Sequence, residues 1–236
     1  MADTTNLTLP LLAASQAQKH VTVNEALTRL DGMVQLTLRS RSLTTPPAAV
    51  LEGECFGVPA GAINDWASHD GEVAQFANGG WVFTSPARGW RAFVSDTGSL
   101  DLHDGTGWIA GGQSASPGGA GVQLRTVEAD IPISAGPTVA TGLVFPPRAI
   151  VLGVTGRVTT AITGALTDWR AGDAGSDARY GNGLGLALNS WLGGPADPFV
   201  AWTPTEILLT GNGGDFAAGA VRLAAHYLEL GIPGPA

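Results

Sequence analysis

The sequence is poor in several things, and each shortage excludes something. Cys55 is the only cysteine, so no intrachain disulfide can staple the fold, and its simplest role is that of a small buried hydrophobe. Only 14% of the residues are charged and the formal net charge is −8, with Lys19 the single lysine beside eleven arginines. Nucleic-acid binding needs Lys and Arg to neutralise phosphates, and this balance runs the other way. No apolar run reaches the 18 residues that a membrane helix requires. The first residues carry no basic stretch, and Leu7–Ala14 is short and interrupted by Pro10, so no signal peptide is expected. Catalytic signatures are missing too: there is no GxSxG elbow, no HExxH, no P-loop and no GxGxxG opening a helix after a strand. His20, His69, His103 and His226 lie far apart, without metal-ligand spacing.

What is abundant is glycine and proline. With 34 Gly and 15 Pro they make up about a fifth of the chain, the composition of short strands joined by tight turns. Seven Trp and seven Phe, within 44% hydrophobic residues, supply a core that a disordered chain would lack. The expected class is mainly β, in several parts.

Residues 1–45 read as an N-terminal arm for anchoring or oligomerisation. Thr22-Val23-Asn24-Glu25 has the form of a capping box, and Gly32 that of a helix stop. Val23, Leu27 and Leu30 share a helical face, while Val34 and Leu36 alternate with polar residues as in a strand. One short helix and one strand cannot bury these five alone, so they need either the next domain of the same chain or a neighbouring subunit or capsid, to which they are candidate contacts. Residues 46–110 read as a small Trp-rich β domain. Ala74–Phe76, Asn78-Gly79-Gly80 and Trp81–Phe83 form one hairpin pattern; Leu100–His103, Asp104–Gly107 and Trp108-Ile109 form another. Trp66, Trp81, Trp90 and Trp108 are read as this domain's core. Residues 111–121, uncharged and Gly/Ser-rich, read as a linker. Residues 122–236 read as a run of short strands closing into an antiparallel sandwich or jelly roll.

The densest polar constellation runs from Asp168 to Tyr180, read as a loop. Trp169, Arg170, Asp173, Asp177, Arg179 and Tyr180, followed by Trp191 and Trp202, could stack on sugar rings and bond their hydroxyls. The same residues could instead be a salt-bridged turn. Two of the carboxylates could serve a glycosidase, and the spacing of Asp173, Gly175 and Asp177 allows a weak Ca²⁺ loop that lacks a bidentate Glu. The chain is read as a non-enzyme with no catalytic residue, cofactor or assigned metal.

Leu9-Pro10-Leu11-Leu12-Ala13-Ala14-Ser15-Gln16-Ala17-Gln18-Lys19-His20-Val21-Thr22-Val23-Asn24-Glu25-Ala26-Leu27 resembles the opening of a family of phage, prophage and gene-transfer-agent proteins. Gly80-Trp81-Val82-Phe83, Gly89-Trp90 and Asp104-Gly105 with Trp108 are similar to it as well. Ile162–Ala165, Trp169-Arg170, Gly172-Asp173, Arg179-Tyr180-Gly181 and the closing Val221-Arg222-Leu223 with His226-Tyr227 resemble the C-terminal module of its gene-transfer-agent members. The resemblance implies a head spike or fibre on the surface of a phage-like particle. Its implied partners are capsid or other spike proteins and cell-surface capsular polysaccharide. A homo-oligomer is expected from avidity, a trimer by fibre symmetry or a pentamer on a five-fold vertex.

Overall fold

The computed structural model describes residues 3–12 and 19–234. The chain is mainly β and forms two compact units, Met1–Ala115 and Ser116–Ala236. The stretch Ala13–Gln18 of the N-terminal motif lies outside the described residues.

The first unit contains helix α1 (Lys19–Met33) and strands β1 (Thr37–Leu38), β2 (Cys55–Gly57), β3 (Val73–Ala77), β4 (Gly80–Thr84), β5 (Arg91–Val94), β6 (Ser99–His103), β7 (Trp108–Ile109) and β8 (Gly112–Ala115). One sheet runs β4-β3-β2-β1-β5-β6-β7. Residues 1–45, expected to stand apart as an arm, supply its central strand: β1 pairs in parallel with both β2 and β5, and Leu38 is fully buried. Leu36 is buried with Leu38, Cys55, Val73 and Val94, which removes it from the residues available for subunit contact. Both hairpins are present, Phe76 pairing with Trp81 and His103 with Trp108. The first turns on Asn78 and Gly79, both at positive φ (54° and 76°), the backbone that Asn-Gly tolerates best. Trp66 is fully buried, and the half-buried Trp81, Trp90 and Trp108 pack against the cores.

The helix is already under way at Lys19, so Thr22–Glu25 lies within it and is not a capping box. Asn24 uses its side chain otherwise: it accepts from Leu12 N–H (2.9 Å) and donates to Leu12 C=O (3.1 Å), fastening the preceding chain to the helix. Asp31 does the same from the helix end, where its buried carboxylate accepts from the Thr4 hydroxyl (2.6 Å), Asn6 N–H (2.9 Å) and Leu7 N–H (2.6 Å). Gly32 is not the stop either, since the helix continues to Met33 and the left-handed residue beyond it is Gln35 (φ 56°). A Cβ on Gly32 would collide with the buried Gln75 amide, which donates to Thr28 C=O at 2.9 Å. Glycine is there for that close approach. Cys55 is buried, and burial together with Asp31 and Glu54 pushes its thiol up to about 12, far from a reactive thiolate.

The second unit is an antiparallel β-sandwich of β9 (Gly121–Ile133), β10 (Thr138–Phe145), β11 (Ala149–Gly164), β12 (Asp168–Asp173), β13 (Ser176–Leu184), β14 (Trp191–Ala201), β15 (Thr205–Asn212) and β16 (Phe216–Gly231). One sheet runs β10-β15-β12-β13, and β14-β11-β16-β9 are bonded in that order in the other. Between them lies one apolar core, with Phe145, Trp169, Tyr180, Ile207, Leu209 and Leu223 among its largest members. Val221, Leu223, Ala225 and Tyr227 of β16 face inward while Arg222 and His226 face outward, as their alternation predicts. In β11 the inward residues Val151 and Val154 are three apart because a bulge at Gly153 (φ 152°) shifts the register. The Gly/Ser segment 111–121, expected as a linker, divides instead: 112–115 form β8, and a turn joins Ser116 to Ala120 (Ser116 N–H to Ala120 C=O, 2.7 Å).

Candidate functional site

The stretch 168–180, expected as a loop, is a β-hairpin. Its turn is set by one carboxylate. Asp173 Oδ1 accepts from the backbone N–H groups of Gly175 (2.9 Å) and Ser176 (3.0 Å), which closes the reversal as an Asx turn. Its Oδ2 accepts from Arg179 Nε (2.5 Å) and from the Tyr180 hydroxyl (3.0 Å). Asp173 and Tyr180 are both buried. Burial pushes the Asp173 carboxyl up, but the Arg179, Gly175 and Tyr180 hydrogen bonds outweigh it and hold the group below the ordinary carboxylate value. The same Asp173 hydrogen bond raises Arg179, while burial first and Asp173 second raise Tyr180.

This network aims Arg179. Its guanidinium carbon sits 4.6 Å above the centre of the Phe199 ring, a cation–π arrangement that fixes the side chain from a second direction. Beyond it opens a depression of about 490 Å³ whose lining includes Arg179, Phe199, Trp202, Pro204 and Glu206. Trp202, just past the end of β14, is 75% exposed. A bare indole beside an oriented guanidinium, on a framework of strands, suits a ligand with one apolar face and a ring of hydroxyls.

The structure separates the other residues expected to act with these. Trp169 (2% exposed) and Tyr180 (2% exposed) belong to the core, where Trp169 Nε1 donates to Gly185 C=O at 3.0 Å. Neither ring can offer a face to ligand, because both sit on inward positions of their strands. Arg170 pairs with Asp177 (2.8 Å) and donates to Asn212 Oδ1 (2.8 Å), a cluster that does not line the depression. The weak Ca²⁺ loop finds no support, since the oxygens of Asp173 are already satisfied and Asp177 is paired. Among the described residues no group of three or more His, Cys, Asp or Glu could hold a metal. Trp191 is 69% exposed but stands on the outer face of the β14-β11-β16-β9 sheet, away from Asp173. Phe199 and Glu206 escaped the sequence reading. Phe199 sits among the apolar residues of a strand, and only the Trp202-Thr203-Pro204 break hinted that the strand ends in an exposed aromatic.

Residues 23–109 match a family model described as "Protein of unknown function (DUF2793)". Among solved structures, a chain from "Cyanophage Pam1 capsid asymmetric unit" is 24% identical to this one, with a TM-score of 0.32 over 50% of this chain and 86% of that one. No curated protein matches.

Proposed function

We propose that this protein is a structural spike or fibre component of a phage-like particle, a gene-transfer-agent type of assembly, and that its second unit binds capsular polysaccharide at the Arg179–Trp202 depression. The observation that carries the binding half is the exposed Trp202 beside a guanidinium locked by Asp173 and Phe199. The particle half rests on the N-terminal motif around Lys19–Leu27 and on a stripe of apolar residues on α1. Val23, Leu30 and the following Val34 are exposed and Leu27 half-buried, and their spacing of four, three and four follows a coiled-coil seam. A homo-oligomer joined through that stripe, trimeric or pentameric, would multiply a weak sugar contact by avidity.

The site is proposed to bind without turnover. A glycosidase needs two available carboxyl groups across the bond it breaks, and of Asp173 and Glu206, the two that line the depression, Asp173 has both oxygens engaged by the turn, Arg179 and Tyr180. Incubation with purified capsule should therefore release no reducing ends over hours; steady release would make the protein a depolymerase. Trp202→Ala in the intact chain is expected to weaken capsule binding about tenfold or more, the loss usual for an aromatic anchor. Capsule affinity unchanged in this folded variant would leave an architectural role only. Leu30→Glu should lower the mass of the native assembly, read by native mass spectrometry, because a charge would enter the seam. An unchanged mass would place the subunit contact elsewhere.

A further inference from the structure

The outer face of the β14-β11-β16-β9 sheet carries a second set of residues that the sandwich does not use. Strand register sets them in rows. Trp191, Arg157, Arg222 and Asp130 face one another across the four strands; the next row is Gly193, Thr155, Ala224 and Glu128. At ~4.8 Å between strands, each row spans roughly 14 Å. The second row is low, with small side chains at Gly193, Thr155 and Ala224, and the first stands above it. Together they make a shallow trough of about 460 Å³.

One side of the trough is a flat aromatic. A Cβ on Gly193 would lie 2.9 Å from the Trp191 ring, so the indole rests along its own strand over a position that only glycine leaves vacant. The ring lies beside Gly193 and the residue stays 69% exposed. The charges beside it are unequal. Arg222 is matched by Asp130 through two hydrogen bonds (2.7 and 2.8 Å) and approaches Glu128 at 3.6 Å. Arg157, cross-strand neighbour of Trp191, donates only to Asn189 C=O (3.2 Å) and makes no ion pair among the described residues. Thr155 and His226, hydrogen-bonded to each other at 2.8 Å, add hydroxyl and imidazole groups at the trough's edge.

We propose that this face is a second glycan site, selective for sugars that carry a carboxylate, with Trp191 stacking on the pyranose ring and Arg157 pairing with the acid group. The occupant is chosen by charge: among the described residues the cation beside the aromatic has no acidic partner, while its neighbour Arg222 is matched by Asp130. A second copy of this chain added along the exposed edge fits less well. β14 is the edge strand, and Pro195, Asp197 and Pro198 interrupt the donors and apolar surface that strand addition needs. The site stands independently of the Arg179–Trp202 depression.

The test is affinity electrophoresis of the intact protein through gels containing pectate, alginate, heparosan or hyaluronan, each beside its methyl-esterified form. Retardation by at least one acidic polymer, and at least tenfold less by its ester, is expected. Trp191→Ala and Arg157→Gln should each weaken that retention at least tenfold. Gly193→Ala, which lifts the ring without removing it, should weaken it several-fold. The proposal is overturned by no retention on any of the four polymers, by equal retention on the esters, or by full retention of either Trp191→Ala or Arg157→Gln. A concentration-dependent gain in mass that Trp191→Ala abolishes would overturn it in favour of self-association. Loss on Trp202→Ala with none on Trp191→Ala would return all binding to the depression.

Discussion

Asp173→Ala is expected to destabilise the second unit by about 3 kcal/mol, because it strips partners from several groups at once. The carboxylate accepts from two backbone N–H groups of the turn, from Arg179 and from the buried Tyr180 hydroxyl. Removing it leaves Tyr180 unpaired inside the core. Arg179 retains some solvent, which is why the expected loss falls at the lower end of the range for a broken buried pair. Asp173→Asn should cost less, since the amide oxygen can still serve the turn, but it surrenders the charge. The acid limb separates the two effects. The carboxyl is depressed in the folded protein, so its stabilisation is complete above its unfolded value, near ~3.9, and disappears as pH falls through the lower folded value. Urea unfolding at pH 6 and pH 3 should show the wild type losing stability on acidification and Asp173→Asn losing distinctly less. Equal losses would mean that other carboxylates govern the acid limb. Binding should follow stability here, because the same carboxylate holds Arg179 against Phe199.

That double duty explains why the site was only half legible in the sequence. The acids and guanidinium groups between residues 168 and 180 were visible as a cluster, and the salt-bridged turn was one of the readings they allowed. Asp173 and Arg179 fulfil that reading and also help shape the depression. What the sequence could not show is which face of a strand each residue takes. In a hairpin, alternation sends Trp169, Ala171 and Asp173 inward, with Arg170 between them pairing at the surface; read as a loop, the same residues have no inside. The strand was missed because Asp, Arg and Gly are poor strand formers, and its place in the sheet is secured by β15, which pairs with it from Asp168 to Gly172. The partners that complete the depression, Phe199, Trp202 and Glu206, are twenty or more residues further on, and no local pattern joins them to Arg179. The hairpins of the first unit were legible for the opposite reason: Asn78-Gly79 and Asp104-Gly105 fix their turns by local backbone chemistry alone. The capping-box pattern at Thr22 misled because the helix is already under way at Lys19, so Thr22 and Glu25 sit within it and have no free N-terminal amide to cap.

Trp66→Ala is expected to be the most damaging substitution in the first unit, at about 3–5 kcal/mol. Trp66 is fully buried, and its ring packs at 5.5 Å from Phe56 and edge-on at 5.2 Å from Trp81. Trp81 in turn contacts Phe76 at 5.2 Å, so the void would open beneath the β3–β4 hairpin and beside β2. Little can collapse into it, because Phe56 is held by its strand and Trp81 by its cross-strand pairing with Phe76. Trp66→Phe should behave quite differently. The indole N–H of Trp66 is buried and meets no acceptor among the described residues, so the present side chain already bears the desolvation of an unpaired donor. Phenylalanine gives up part of the apolar contact and removes that donor, and the two effects offset to within about 1–2 kcal/mol. Denaturant unfolding of the intact chain, compared across the three sequences, reads both outcomes. A Trp66→Phe loss as large as that of Trp66→Ala would mean that the N–H is bonded after all, and that the cluster is held by polarity as well as by packing.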